Sequence, residues 1–184
     1  MIIETIFSSL DPTGQANFAP MGIRWGEDTL VIRPFRDTVT YRNLVASRYG
    51  VVNLTDDVLP FVQTALYDAV LPHFSARVVP GVVFKEACSW REVEVVEESG
   101  TVERAEVVCR VVYRGWQREI LGFCRAKNAV LEATIKATRL HLNAQNTVDN
   151  LEEYRVIVEK TGGETEKKAF EQVCEYIQKW TNKP

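Results

Sequence analysis

The stretch of sequence that decides the fold runs from Thr13 to Leu54 and reads TGQANFAPMGIRWGEDTLVIRPFRDTVTYRNLVASRYGVVNL. Short β-branched runs alternate in it with turn-forming residues, which is typical of antiparallel strands. Three strands are predicted here, at residues 17–25, 29–33 and 50–54. Pro34 ends the second of them or places it at a sheet edge, because proline cannot donate to a strand ladder. Residues 38–46 predict a short helix capped by Thr38.

Outside this stretch the pattern is strand-like as far as residue 124 and helical beyond it. Further strands are predicted at residues 2–7, 91–95, 106–111 and 117–121, and a second short helix at 57–67. Apolar residues then recur at helical spacing in three segments, 127–142, 147–160 (capped by Thr147) and 169–180. The residues therefore predict an α+β fold, mainly β, in which residues 1–124 form a β-barrel domain and residues 125–184 a helical C-terminal subdomain packed on the barrel.

The composition is that of a soluble globular protein. Of the 184 residues, 46% are hydrophobic and 26% are charged. The apolar runs are too short to cross a membrane, and a net charge of −3 argues against a nucleic-acid partner. The four cysteines show no C-x-x-C spacing and only two histidines are present, so we expect reduced thiols, a cytoplasmic protein and no metal site.

The segment between Met21 and Arg48 is rich in arginine and contains no lysine. It holds five arginines against three acidic residues: Arg24, Arg33, Arg36, Arg42 and Arg48 against Glu27, Asp28 and Asp37. The planar guanidinium suits phosphate oxygens, and Arg36, Thr38 and Thr40 lie at a predicted helix start, where free backbone N–H groups attract an anion. Alternatively, the threonines only cap the helix and the arginines are solvated surface charge. The spacing leaves both interpretations open.

Three short motifs, at residues 13–22, 36–40 and 51–54, resemble the flavin-reductase-like FMN-binding split barrel. In that family a G-x-x-N turn precedes a strand whose backbone lies against the isoalloxazine ring. A threonine-bearing turn and helix start hold the phosphate, and a V-x-N strand follows. Nearly the whole chain, including residues 128–133 and 138–140 of the helical end, is similar to an archaeal family of uncharacterised proteins with that fold.

The resemblance implies non-covalently bound FMN. The residues that would contact it are Met21, Gly22, Ile23 and Arg24 at the ring, Arg36, Thr38 and Thr40 at the phosphate, and Asn43 and Asn53 at the ring or ribityl chain. For Asn17 a turn amide is the simpler interpretation. For Asn53, a strand polar group bonded to a neighbouring loop stands as an equal alternative.

The resemblance also implies a flavin-dependent oxidoreductase that acts with NAD(P)H or another small redox substrate, and a homodimer with the flavin at the subunit interface. No catalytic residue is singled out, because the cofactor supplies the chemistry. The apolar surface of the segment 127–142 also favours a homodimer. Two alternatives are an FMN store or sensor without turnover, and a protein-interaction domain with an empty barrel pocket.

Overall fold

The computed structural model describes residues 1–182, without the side chains of residues 143, 145, 146, 148 and 149. Within this part the chain forms two compact units, each made of two segments. The first comprises Met1–Thr55 and Ala69–Ile120, and the second comprises Asp56–Asp68 and the residues from Leu121 onward. The second unit thus includes residues 56–68, which the sequence analysis assigned to the barrel domain, and its second segment starts at Leu121, where the sequence analysis placed the subdomain boundary at residue 125.

The first unit is a barrel with one helix and a small additional hairpin. Its elements are β1 (Ile2–Leu10), β2 (Ala16–Arg24), β3 (Thr29–Ile32), α1 (Val39–Ser47), β4 (Tyr49–Leu54), β5 (His73–Ser75), β6 (Val82–Phe84), β7 (Ser89–Gly100) and β8 (Ala105–Trp116). Six strands close the barrel in the order β1-β2-β3-β8-β7-β4, while β5 and β6 pair separately. The predicted barrel fold is confirmed.

Alternation along the strands builds the barrel core. Phe7 of β1, Ile23 of β2, Val52 of β4 and Val93 of β7 all lie in one buried cluster, because side chains at every second position face the interior. Leu44 of α1 joins this cluster, so the helix is part of the barrel core rather than a surface addition. The short helix predicted at 38–46 therefore has a defined packing face.

The barrel is joined unevenly around its circumference. Strands β1 and β2 pair along their whole length, from Ile2 opposite Arg24 to Leu10 opposite Ala16. By contrast, β2 pairs with β3 only where Arg24 lies opposite Val31. Within the residues that the structure describes, the side of β2 that faces β3 therefore has no strand partner from residue 16 to residue 23. We call this side the open edge of β2.

The predicted strand at 117–121 is wrong. Strands β7 and β8 instead form one long hairpin, and β8 ends at Trp116. Beyond it, the backbone N–H groups of Gln117 and Arg118 both donate to the carbonyl oxygen of Cys88, at 2.9 and 3.1 Å. Because both N–H groups bond to the same carbonyl, the chain turns away from the sheet. The alternating residues 117–121 therefore do not pair with a neighbouring strand.

The second unit consists of helices α2 (Leu59–Leu66), α3 (Arg125–Ala137), α4 (Leu140–Thr161) and α5 (Glu164–Thr181). Val62, Val130 and Phe170 belong to its buried cluster. The predicted helix at 127–142 ends earlier, because the N–H of Arg139 bonds to Lys136 in a tighter turn, and Thr147 lies inside α4 rather than at its start. None of the described helices is long and apolar enough to span a bilayer.

Candidate functional site

The residues predicted for the flavin ring lie side by side on β2. Ile23 is wholly buried in the barrel core, whereas Arg24 is exposed. The hydroxyl of Thr5 donates to the carbonyl of Met21 at 2.9 Å across the β1–β2 pair. A Cβ at Gly22 would lie 3.1 Å from both Glu4 Oε1 and Ile2 Cγ2, so the close approach at this glycine is made by side chains of β1. The backbone of the segment 21–23 runs along the open edge.

The start of α1 offers backbone donors. Thr38 caps the helix as predicted: its hydroxyl accepts from the N–H of Tyr41 at 3.3 Å and donates to the carbonyl of Phe35 at 2.7 Å. The N–H of Arg42 bonds to the carbonyl of Thr38. Val39 and Thr40 come before Arg42, whose N–H is the first to donate to a carbonyl of the helix start, so their own N–H groups have no acceptor within the helix.

Thr40 and Asn17 connect this helix start to β2. The amide Nδ2 of Asn17 donates to Thr40 Oγ1 at 3.1 Å, and the Thr40 side chain is buried. Asn17 lies within β2, opposite Ser9, and not in the turn that the sequence analysis favoured. It therefore belongs with the candidate site residues. The G-x-x-N motif marked it in the sequence, but the contact with Thr40 depends on the packing of α1.

Arg36 lies against the turn that joins β7 and β8. Its Nη1 is 2.6 Å from Glu98 Oε1 and also donates to the hydroxyl of Tyr41, which in turn donates to the same Glu98 oxygen at 2.6 Å. Two further donors reach backbone carbonyls of the turn: Nε bonds to Thr101 at 2.8 Å and Nη2 to Ser99 at 3.0 Å. Four of the five guanidinium N–H groups are thus used within the protein.

The charges of this cluster reinforce one another. The hydrogen bond to Glu98 raises the pKa of Arg36, and the hydrogen bond from Tyr41, followed by that from Arg36, lowers the pKa of Glu98. The cluster therefore holds an ionised carboxylate against a cation across the neutral pH range. No sequence pattern marked Tyr41 or Glu98 as a partner of Arg36. Glu98 lies sixty-two residues from Arg36, too far for a local pattern to reveal the contact.

The two asparagines predicted as ligand contacts are buried and bonded. Asn43 donates to Ser9 Oγ at 3.1 Å. Asn53 donates to the carbonyl of Ile6 and to Ser8 Oγ, both at 3.0 Å, and its Oδ1 accepts the N–H of Phe84 at 2.9 Å. Since both ends of the Asn53 amide join strands β1, β4 and β6, the geometry favours the structural alternative for this residue.

His73 has a backbone carbonyl and an aromatic ring as its neighbours. His73 Nδ1 lies 2.7 Å from the carbonyl of Leu71, and its ring centroid is 5.6 Å from that of Phe18 on β2. Across the described residues, no group of three or more His, Cys, Asp or Glu side chains is arranged to hold a metal ion.

A closed barrel of six strands, with one strand open along an edge and a helix start beside it, defines a split-barrel protein of the flavin-reductase-like class. Family models agree with this. The chain belongs to the family described as "Protein of unknown function (DUF447)": the model of its N-terminal domain matches residues 3–118, and a second model of the same family matches residues 124–175. The predicted family is confirmed.

Solved structures support the same assignment. The FMN-bound protein MM1853 of Methanosarcina mazei is 27% identical over 95% of this chain and 94% of that chain, with a TM-score of 0.83. Flavoredoxin from Methanosarcina acetivorans is 15% identical (66% and 72% covered, TM-score 0.55), and a split barrel protein from Shewanella frigidimarina is 12% identical (62% and 66% covered, TM-score 0.55). The last two show the fold alone. Among curated proteins there is no match.

Proposed function

We propose that this protein binds FMN non-covalently, with the ring along the open edge of β2 and the phosphate at the start of α1. The observation that carries this proposal is the similarity over 95% of the chain to a protein whose structure holds FMN. The open edge of β2 and the start of α1 belong to the same compact unit. One bound FMN molecule would therefore contact the open edge with its ring and the helix start with its phosphate.

The open edge of β2 suits the polar edge of an isoalloxazine ring. That ring edge presents an N–H donor between carbonyl acceptors, and an unpaired strand presents N–H and C=O groups in alternation. Met21, Gly22 and Ile23 would supply these backbone groups, and the exposed side chain of Arg24 would lie at the ring or ribityl edge. Asn43 and Asn53 support the strands beneath and beside this surface.

The start of α1 suits the terminal phosphate. The N–H groups of Val39 and Thr40 and the hydroxyl of Thr40 would donate to phosphate oxygens, with the helix dipole adding to the attraction. The hydroxyl of Thr38 would donate as well on releasing the carbonyl of Phe35. Arg36 would contribute its charge from the same turn. A terminal phosphate of this kind is present in FMN and absent from riboflavin, so the site distinguishes these two flavins.

For the reaction, we propose flavin-dependent oxidoreduction with NAD(P)H or another small redox substrate. Bound FMN would accept and release the hydride, and the chain would bind and orient the ring and exclude solvent from one of its faces. An FMN store or sensor, which would bind FMN through the same groups without turnover, is the alternative. We further propose a homodimer, as the resemblance to split barrels implies.

The test is a visible absorption spectrum of the purified protein, followed by titration with FMN, riboflavin and FAD. We expect copurified FMN, or FMN binding at micromolar affinity or tighter, with FAD binding no better. Colourless protein that binds FMN no more tightly than FAD would contradict the proposal. An NAD(P)H oxidation assay with FMN added then separates an enzyme from a store, and light scattering reports the oligomeric state.

A further inference from the structure

We propose that Glu98 is an internal competitor of the FMN phosphate for Arg36, and that it thereby sets the affinity of the site for FMN. This inference rests on the proposed function, because it concerns the same phosphate site. The guanidinium expected to meet a phosphate holds an anion of its own chain. Glu98 Oε1 lies 2.6 Å from Arg36 Nη1, a short charge-assisted contact.

The ion pair between Arg36 and Glu98 can exchange its carboxylate for another anion. The side chains of Arg36 and Glu98 are 29% and 28% exposed, so solvent reaches both partners and the carboxylate can leave without opening the barrel core. An exposed pair of this kind contributes little to folding, because water screens it and solvates both charges when they part. A phosphate dianion brings more charge and more acceptor oxygens than a carboxylate, and it can therefore take the place of Glu98.

The remaining bonds of Arg36 keep the guanidinium in position during such an exchange. Arg36 also donates to the backbone carbonyls of Ser99 and Thr101 at the β7–β8 turn. These acceptors are neutral, and a phosphate does not need to displace them. The hydroxyl oxygen of Tyr41 keeps the hydrogen bond from Arg36 Nη1, while its O–H gives up Glu98 as an acceptor. Only the bonds to the Glu98 oxygen are lost when the anion changes.

Competition predicts the direction in which the affinity for FMN changes when Glu98 loses its charge. If Glu98 must yield Arg36 before the phosphate binds, removing its charge strengthens FMN binding and leaves riboflavin binding unchanged, since riboflavin has no phosphate. If Glu98 instead only holds Arg36 in place for the ligand, its removal weakens FMN binding. Repulsion between Glu98 and the phosphate would also make the loss of the carboxylate favourable, but that gain would not depend on Arg36.

The experiment compares Glu98→Gln with Glu94→Gln by titration with FMN and riboflavin at low ionic strength. Glu94 is a matched control, because it lies on the same strand and pairs with the exposed Arg110 at 2.7 Å. We expect Glu98→Gln to tighten FMN binding by about two- to fivefold, the range expected for release of an exposed ion pair, with riboflavin unchanged. Glu94→Gln should leave both affinities unchanged.

A second pair of proteins tests whether the effect passes through Arg36. In the Arg36→Ala background, adding Glu98→Gln should no longer tighten FMN binding. A gain that persists there, a loss of FMN affinity in Glu98→Gln, or equal shifts in both glutamate variants would overturn the inference. If neither the parent protein nor any variant binds FMN, the proposed function fails instead, so the two failures are distinguishable.

Discussion

Glu92 Oε2 lies 2.6 Å from the backbone nitrogen of Val78 and accepts its hydrogen bond, although Glu92 is wholly buried in β7. The same oxygen accepts from the N–H of Val79 at 3.0 Å, and the other carboxylate oxygen accepts from Arg77 N at 2.7 Å and Trp90 Nε1 at 3.2 Å. A buried carboxylate with four donors fixes the segment 77–79 to the outside of the barrel sheet.

We expect Glu92→Ala to lower the free energy of unfolding by about 3 kcal/mol, because it removes a buried carboxylate and leaves one buried and three part-buried donors without their acceptor. Urea unfolding followed by circular dichroism measures this. Glu94→Ala is the matched control on the same strand, and its exposed pair with Arg110 should be worth less than about 1 kcal/mol. Similar losses in the two variants would show that the Glu92 contacts do not stabilise the fold.

Asn53→Ala should destabilise the protein by roughly 1–3 kcal/mol, since the amide that joins Ile6, Ser8 and Phe84 is removed from a buried position. If Asn53 is structural, the FMN affinity of the folded variant stays close to that of the parent. Denaturant unfolding and FMN titration, carried out at a temperature where the variant is folded, separate the two properties. A large loss of both FMN and riboflavin affinity without loss of stability would favour the ring contact.

Arg36→Ala should weaken FMN binding by about ten- to a hundredfold, the loss expected for one charge-assisted bond to a phosphate. Riboflavin shares the ring and lacks the phosphate, so its affinity should scarcely change. Parallel titrations of the two flavins measure the difference. Equal losses for both would mean that Arg36 supports the fold of the β7–β8 turn and not the phosphate site.

Thr38→Val and Thr40→Val should each weaken FMN binding several-fold, again without affecting riboflavin, because each removes one neutral donor to the phosphate. The stability effects differ. Thr38→Val also loses the helix cap, which costs about 1 kcal/mol. Thr40→Val leaves Asn17 Nδ2 without its acceptor. Thermal unfolding of both variants, beside the titrations, tells the two contributions apart.

Burial raises the pKa of the Cys109 thiol to about 12. An unfolded thiol ionises near about pH 8.5, so the stability gained by burying the neutral thiol is complete below that pH and is lost as the pH rises towards 12. We expect the free energy of unfolding to fall less steeply over this range in Cys109→Val than in the parent.

In the parent at pH 8, iodoacetamide should modify the half-buried Cys124 before the buried Cys109. Mass spectrometry of samples taken at successive times measures the order of modification.

The parts of the fold that the sequence predicted are those held by local bonds. The turn before β2 is an example: Asp11 Oδ1 accepts from the N–H groups of Thr13 and Gln15, and Gly14 has a φ of +87°, a conformation that glycine adopts readily. The Thr38 cap is equally local. Such contacts join residues two to four positions apart, and a pattern of residue types reveals them.

The parts that the sequence did not predict depend on distant partners. Glu92 reads as the solvent-facing residue of an alternating strand, yet a loop thirteen to fifteen residues earlier buries it. Asn17 reads as a turn amide and becomes a partner of Thr40 only when α1 packs on β2. In the same way, the sequence predicts Arg36 as a phosphate ligand, but its contact with Glu98 requires the β7–β8 hairpin to fold back beside it.

The division of the second unit into two chain segments determines the order in which a newly made chain can fold. The barrel unit has all its residues once Ile120 has left the ribosome, whereas α2, made much earlier, packs with α3 and α5, which are synthesised after the barrel. The apolar face formed by Val62 of α2 and its N-cap residue Val58 therefore lacks its native partners until α3 and α5 have been made. A nascent chain stalled just after the barrel would present this face to chaperones and to other unfinished chains.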